Sequence, residues 1–101
     1  MTFLVKRPRS TGDIVTIKLQ TAEELIVRVE KEDDNTITVS RPMTLSYSAQ
    51  GVGMTAWIMT ADPANFVDID KTKIMAITPT MKQSADQYVA GTTGTKPVGR
   101  N

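Results

Sequence analysis

Residues 14–41 read IVTIKLQTAEELIVRVEKEDDNTITVSR, and the periodicity of this stretch decides the fold class. Val15, Ile17 and Leu19 alternate with Thr16 and Lys18, the period of two expected of a strand with one wet face. After the polar link QTAEE, Leu25, Val27 and Val29 alternate with Ile26, Arg28 and Glu30 in a second strand. Residues 32–35, EDDN, supply a turn, because Asp and Asn bond their own main chain and tolerate left-handed backbone. Ile37 and Val39 then alternate with Thr36, Thr38 and Ser40 in a third strand rich in β-branched residues. Connections this short join antiparallel neighbours, so the stretch reads as a meander.

Outward from it, Pro42 marks a bulge, a bend or an edge, since proline gives nothing to a strand ladder. Met43, Leu45 and Tyr47 keep the odd positions apolar beyond it, and strand pairing is expected to resume. SAQGVG reads as a flexible loop and residues 54–60, MTAWIMT, as a fourth strand with Met54, Ala56 and Ile58 opposite Thr55, Trp57 and Met59. Turn chemistry follows at Asp62-Pro63 and near Asp70, then a brief fifth strand, KIMAI at 73–77, stopped by Pro79. MKQSADQYVAG suits a short helix ending at Gly91. The expected plan is a basic arm over 1–12, an all-β domain of five strongly bent strands over 13–79, and a short helix with a flexible tail over 80–101.

Composition narrows the chemistry. The chain has 101 residues, enough for one small domain whose thin core favours self-association. Its 40% hydrophobic and 23% charged residues are those of a folded chain. No apolar run approaches a membrane span, and MTFLVKRPRS does not read as a signal peptide, so a cytoplasmic location without membrane contact is expected. The absence of cysteine and histidine removes disulfides, thiol and imidazole catalysis, and thiolate or imidazole metal sites. EDDN lacks the alternating ligands of a calcium loop, and Gly51-Val52-Gly53 lacks the third glycine of a dinucleotide site. Asp68 and Asp70 read as turn residues. No enzyme activity, cofactor or small-molecule substrate is expected. Net charge is +1, unevenly spread: Lys6, Arg7 and Arg9 load the arm, and six of the eleven acids lie between positions 23 and 34. Arg28 and Arg41 lie within strands and could equally cross-pair with Glu24 or Glu30.

The order of these segments resembles the Sm-like (LSm) family. Residues 13–48 correspond to its first signature segment and 54–79, with IDKTKIMAITP, to its second. More narrowly, IKLQTAEELIVRVE, SRPMTL and IDKTKIMAITPT are similar to small Sm-like proteins of tailed phages of cyanobacteria and other marine bacteria; the location would then be the cytoplasm of an infected host cell. The resemblance implies a small barrel of five strongly bent strands whose copies close into a ring. The fourth strand of one chain would pair with the fifth of the next.

The residues point to assembly independently. An open five-stranded meander leaves two edges of unpaired backbone, and MTAWIM reads as apolar on both faces. Met54, Trp57, Ile58, Met59, Ile74, Met75 and Ile77 are therefore the expected contacts between copies. The family also implies RNA threading near the pore. Asn35 corresponds to its base-reading Asn, although an alignment shifted by one residue puts Thr36 there, and Lys71 or Lys73 corresponds to its basic residue, but no aromatic or histidine stands beside Asn35 to stack a base. Lys6, Arg7 and Arg9 offer a separate, sequence-blind phosphate fringe. Three readings follow: a ring-forming scaffold with weak single-stranded RNA binding, a uridine-selective RNA chaperone, and a structural phage protein with no nucleic-acid role.

Overall fold

The computed structural model describes residues 9–92. Six strands and one helix follow in order: β1 (Ile14–Leu19), β2 (Glu24–Glu32), β3 (Thr36–Ser48), β4 (Gly51–Ala56), β5 (Val67–Asp70), β6 (Ile74–Pro79) and α1 (Lys82–Thr92). All pairings are antiparallel, in the order β4-β3-β2-β1-β6, with β5 also paired to β3. The chain is thus nearly all-β with a C-terminal helix, and β4, β5 and β6 each pair with a single strand among the described residues.

The alternation of the first three strands translates directly into burial. Val15, Ile17 and Leu19 meet Leu25, Val27 and Val29 across β1 and β2, and with Ile37, Val39 and Ile69 they form the core. Trp57, Val67, Ile74 and Ile77 pack on its rim.

Two bulges determine what faces where. On β3, Ile26 opposes Met43 and Arg28 opposes Ser40, so β3 spends three steps where β2 spends two. Arg41 sits in this bulge with φ of 49°, a left-handed conformation costly for a residue with a Cβ. Directly opposed residues share a face of the sheet. Val39 faces the core opposite Val29, but beyond the bulge Met43 stands opposite Ile26, on the other side. Pairing does resume past Pro42, with its face reversed: Met43, Leu45 and Tyr47 look away from the core. The second bulge lies on β2 at Glu30, where Val29 opposes Val39 and Lys31 opposes Thr38.

The expected fourth strand needs correction. MTAWIMT does not run as one strand: β4 begins at Gly51, inside the stretch read as a loop, and stops at Ala56. Trp57, Ile58 and Met59 open a ten-residue connection through 66, turned by Ala61 N–H to Ile58 O (3.2 Å) and Asn65 N–H to Asp62 O (3.0 Å). VDID, taken as part of a turn, is instead β5. So β4 and β5 share β3 between them, β5 on Thr36–Val39 and β4 on Met43–Ser48. Asp68 lies within β5 and accepts a hydrogen bond from Thr38 Oγ1 at 2.7 Å across the pair, whereas Asp70 is the turn residue expected, capping a 3-10 turn at Lys71–Lys73 through Thr72 N–H. Arg28 and Arg41 form no ion pair among the described residues. Glu24 pairs instead with Lys18 (4.0 Å), and Glu30 accepts the Ser40 hydroxyl (2.6 Å).

Tyr88 and Thr92 are the buried residues of the helix. Tyr88 is fully buried, and its hydroxyl is shared between the carbonyls of Ser40 (3.1 Å) and Arg41 (2.8 Å), at the β3 bulge. Burial pushes this phenol up to about 12. Thr92 closes the last turn by donating to Tyr88 O at 2.7 Å. Tyr88→Phe keeps the ring and loses the donor. It should cost about 1–2 kcal/mol in urea unfolding, and an unchanged midpoint would show that the hydroxyl does not anchor α1.

Candidate nucleic-acid interface

The bulge at Glu30 reverses the face of β2 just before its end. Glu32 therefore opposes Ile37 and comes to the rim of the core face, although uninterrupted alternation would leave it in water. Only 15% of its side chain is exposed. Three cationic donors converge on it: Arg9 Nε reaches Oε1 at 2.8 Å, Arg9 Nη2 reaches Oε2 at 2.7 Å, and Lys71 Nζ reaches Oε2 at 2.6 Å. The Arg9 fork is the bidentate geometry that suits carboxylates and phosphates alike.

Local structure brings these groups together. Thr11 Oγ1 donates to Glu30 O (2.8 Å) and Gly12 N–H to Val29 O (2.7 Å), laying the segment after Arg9 along the end of β2. Gly12 does this at φ of 96°, a conformation glycine adopts without strain. On the other side, Lys71 N–H donates to Asn35 O at 2.9 Å, joining the β2–β3 turn to the 3-10 turn after β5.

Of the residues singled out for RNA, the structure therefore places Asn35 and Lys71 side by side. Asn35 is exposed, and its N–H is taken by Asp33 Oδ1 (2.9 Å), which also accepts Thr36 N–H (2.8 Å). Lys73 is exposed on the far side of the 3-10 turn, where its carbonyl accepts Gln20 N–H (2.9 Å). Arg9, assigned to a separate fringe, joins Lys71 at Glu32; Lys6 and Arg7 lie outside the described residues. Glu32 itself was missed, because EDDN reads as a solvated turn and nothing in its composition signals the bulge that turns the glutamate inward.

The charges respond to these contacts. Hydrogen bonding from Arg9 holds the Glu32 carboxyl down at about 2; desolvation opposes this, and Lys71 adds to it. The same Arg9–Glu32 bond raises the Arg9 guanidinium above its ordinary value. Asp33 is lowered by the N–H groups of Asn35 and Thr36, and Asp70 by the N–H and hydroxyl of Thr72. Chemically, Arg9 and Lys71 present three donors to a carboxylate of their own chain.

The expected contact residues fall into three groups. Ile74, Ile77 and Trp57 pack partly on the chain's own core, and Trp57 donates its indole N–H to Glu23 Oε2 at 3.2 Å. Met75, the bulged residue of β6, is 68% exposed, Met59 is 83% exposed, and Ile58 is also open to solvent. Met54 lines an open groove of about 660 Å³ between α1 and the β3–β4 hairpin, with Met43, Leu45, Val52, Gln87 and Tyr88. Among the described residues, no three acidic groups cluster to hold a metal, and no helix is long and apolar enough to cross a membrane.

No protein-family model matches this chain, and no curated protein matches it in sequence. Among solved structures, a heptameric archaeal Sm protein superposes with a TM-score of 0.49 at 14% identity, covering 70% of this chain and 90% of that one.

The Glu32 carboxyl gives a pH dependence whose sign is fixed. Its folded value lies below its ordinary value of 4.5, so its stabilisation is complete above that value and is lost as pH falls toward about 2. Glu32→Gln should therefore flatten the fall in stability between pH 4.5 and 2, measured by urea unfolding at each pH. A variant that loses stability as steeply as the parent would remove Glu32 from the acid transition.

Proposed function

We propose that this chain is a ring-forming, Sm-like subunit that acts as a non-catalytic scaffold, with weak single-stranded RNA binding through Asn35, Lys71 and Lys73. The observation that carries the reading is the pair of open sheet edges. Neither the outer side of β4 nor that of β6 has a partner strand among the described residues, and unpaired strand edges invite another chain. Head-to-tail pairing of β6 with a neighbour's β4 or β5 repeats identically in every copy, and a closed ring leaves no copy unsatisfied. The exposed Met75 on β6 and Val52 on β4 supply apolar area beside those edges.

The RNA element is supported by the hydrogen bond that sets the Lys71 cation next to the Asn35 amide. Uridine selectivity has less behind it, since no aromatic or imidazole stands in the turn to stack a base. The reading with no nucleic-acid role, as a structural protein of a phage particle, is favoured by one observation: the Lys71 charge is already taken by Glu32. The narrower likeness to Sm-like proteins of marine tailed phages would place either role in an infected host cell.

Met75→Glu alters an exposed residue and should leave the fold intact while reducing the assembly to single subunits in sedimentation velocity. An unchanged mass would take β6 out of the interface. In fluorescence anisotropy at low salt, oligouridylate and oligoadenylate should bind weakly and alike. A clear uridine preference would favour the chaperone reading instead, and no binding to either would leave the structural one.

A further inference from the structure

We propose that Arg9 and Lys71 form one phosphate-binding site that Glu32 closes from within, so that the free protein holds its nucleic-acid face in a self-inhibited state. This rests on the reading of the Asn35–Lys71 face as an RNA surface and adds to it both a residue, Arg9, and a lock.

The argument is one of shared donors. The Arg9 fork and the Lys71 ammonium put three donors on the two oxygens of Glu32, at 2.6–2.8 Å. A phosphodiester presents two terminal oxygens with the same demand, met by the same fork. Donors spent on Glu32 are not available to phosphate, and like charges prevent both anions from occupying the site. Accessibility is unequal. The cations are 35% and 27% exposed and reachable from solvent, whereas the glutamate is 15% exposed. A phosphate that takes the cations leaves behind a poorly solvated carboxylate without a counter-charge, and that penalty weakens binding. Protonation does not open the lock near neutral pH, because the contacts hold Glu32 ionised down to about 2. Asp33 forms no ion pair with Arg9 or Lys71 among the described residues, and its Oδ1 accepts the N–H groups of its own turn.

The test compares Glu32→Gln with Glu30→Gln, which removes the same charge two residues away from a carboxylate that bonds Ser40. The probes are a labelled oligouridylate and inorganic polyphosphate, which carries phosphates without bases; circular dichroism checks that each variant is folded. Glu32→Gln should bind both probes about tenfold more tightly at low salt. Its logarithmic salt slope on oligouridylate should steepen by about 1.4, for two additional phosphate contacts. Adding Arg9→Ala and Lys71→Ala to Glu32→Gln should abolish the gain. The lock is overturned if Glu32→Gln binds no tighter, if Glu30→Gln gains as much, or if the gain survives loss of both cations. A gain on polyphosphate while no variant binds oligouridylate sustains the phosphate site and removes the RNA reading. Oligouridylate binding with no gain on either probe does the reverse, and no binding of either probe by any variant removes both.

Discussion

The three-for-two step at Arg41-Pro42 is the constraint on which the rest of this molecule depends. A strand of uninterrupted pleat would keep Ile37, Val39, Met43, Leu45 and Tyr47 on one face, more apolar surface than β1 and β2 can cover. The bulge divides them. Ile37 and Val39 remain in the core with β5 beside them, while Met43, Leu45 and Tyr47 turn to the opposite side with β4. It also leaves the carbonyls of Ser40 and Arg41 where the Tyr88 hydroxyl reaches both, so the feature that reverses the strand seats the helix. Left-handed backbone at Arg41 carries a steric cost, and the Tyr88 hydrogen bonds are among the contacts that offset it.

A smaller irregularity of the same kind produces the charged site. One extra residue in β2 turns Glu32 toward the core rim, and from there it gathers a guanidinium from before β1 and an ammonium from after β5. Both bulges act by the same rule: a one-residue shift exchanges the two faces of a strand, bringing Glu32 in to the core rim on β2 and turning Met43, Leu45 and Tyr47 away from the core on β3.

What could be read in the sequence was what period two reports without interruption. The core positions of β1, β2 and the first half of β3 follow from the alternation of Val15 through Val39, and the helix follows from MKQSADQYVAG, although α1 runs through Gly91 to Thr92. Pro42 announced an irregularity but not its consequence, because a proline marks a bulge without saying which face the chain takes afterwards. MTAWIMT was misread for a related reason: Met, Trp and Ile favour strands in isolation, yet β4 stops where β3 has no further residues to offer before the bulge. The last ladder-like bond there is Trp57 N–H to Pro42 O, at 3.0 Å. VDID was hidden by its two aspartates, one of which satisfies a threonine across the strand pair. The Arg9–Glu32–Lys71 cluster joins residues distant in sequence through a bulge, and no local pattern encodes it.

The central claim is that the sheet is left unfinished at β4 and β6 and completed by another copy. Amide hydrogen exchange as a function of protein concentration reads this directly. The account predicts that alternate amides of Gly51–Ala56 and of Ile74–Thr78, those facing away from β3 and β1, are protected at high concentration and exchange freely on dilution, while the amides of β2 do not change. Outward amides that exchange freely at every concentration would show that these edges remain bare in solution and would contradict it.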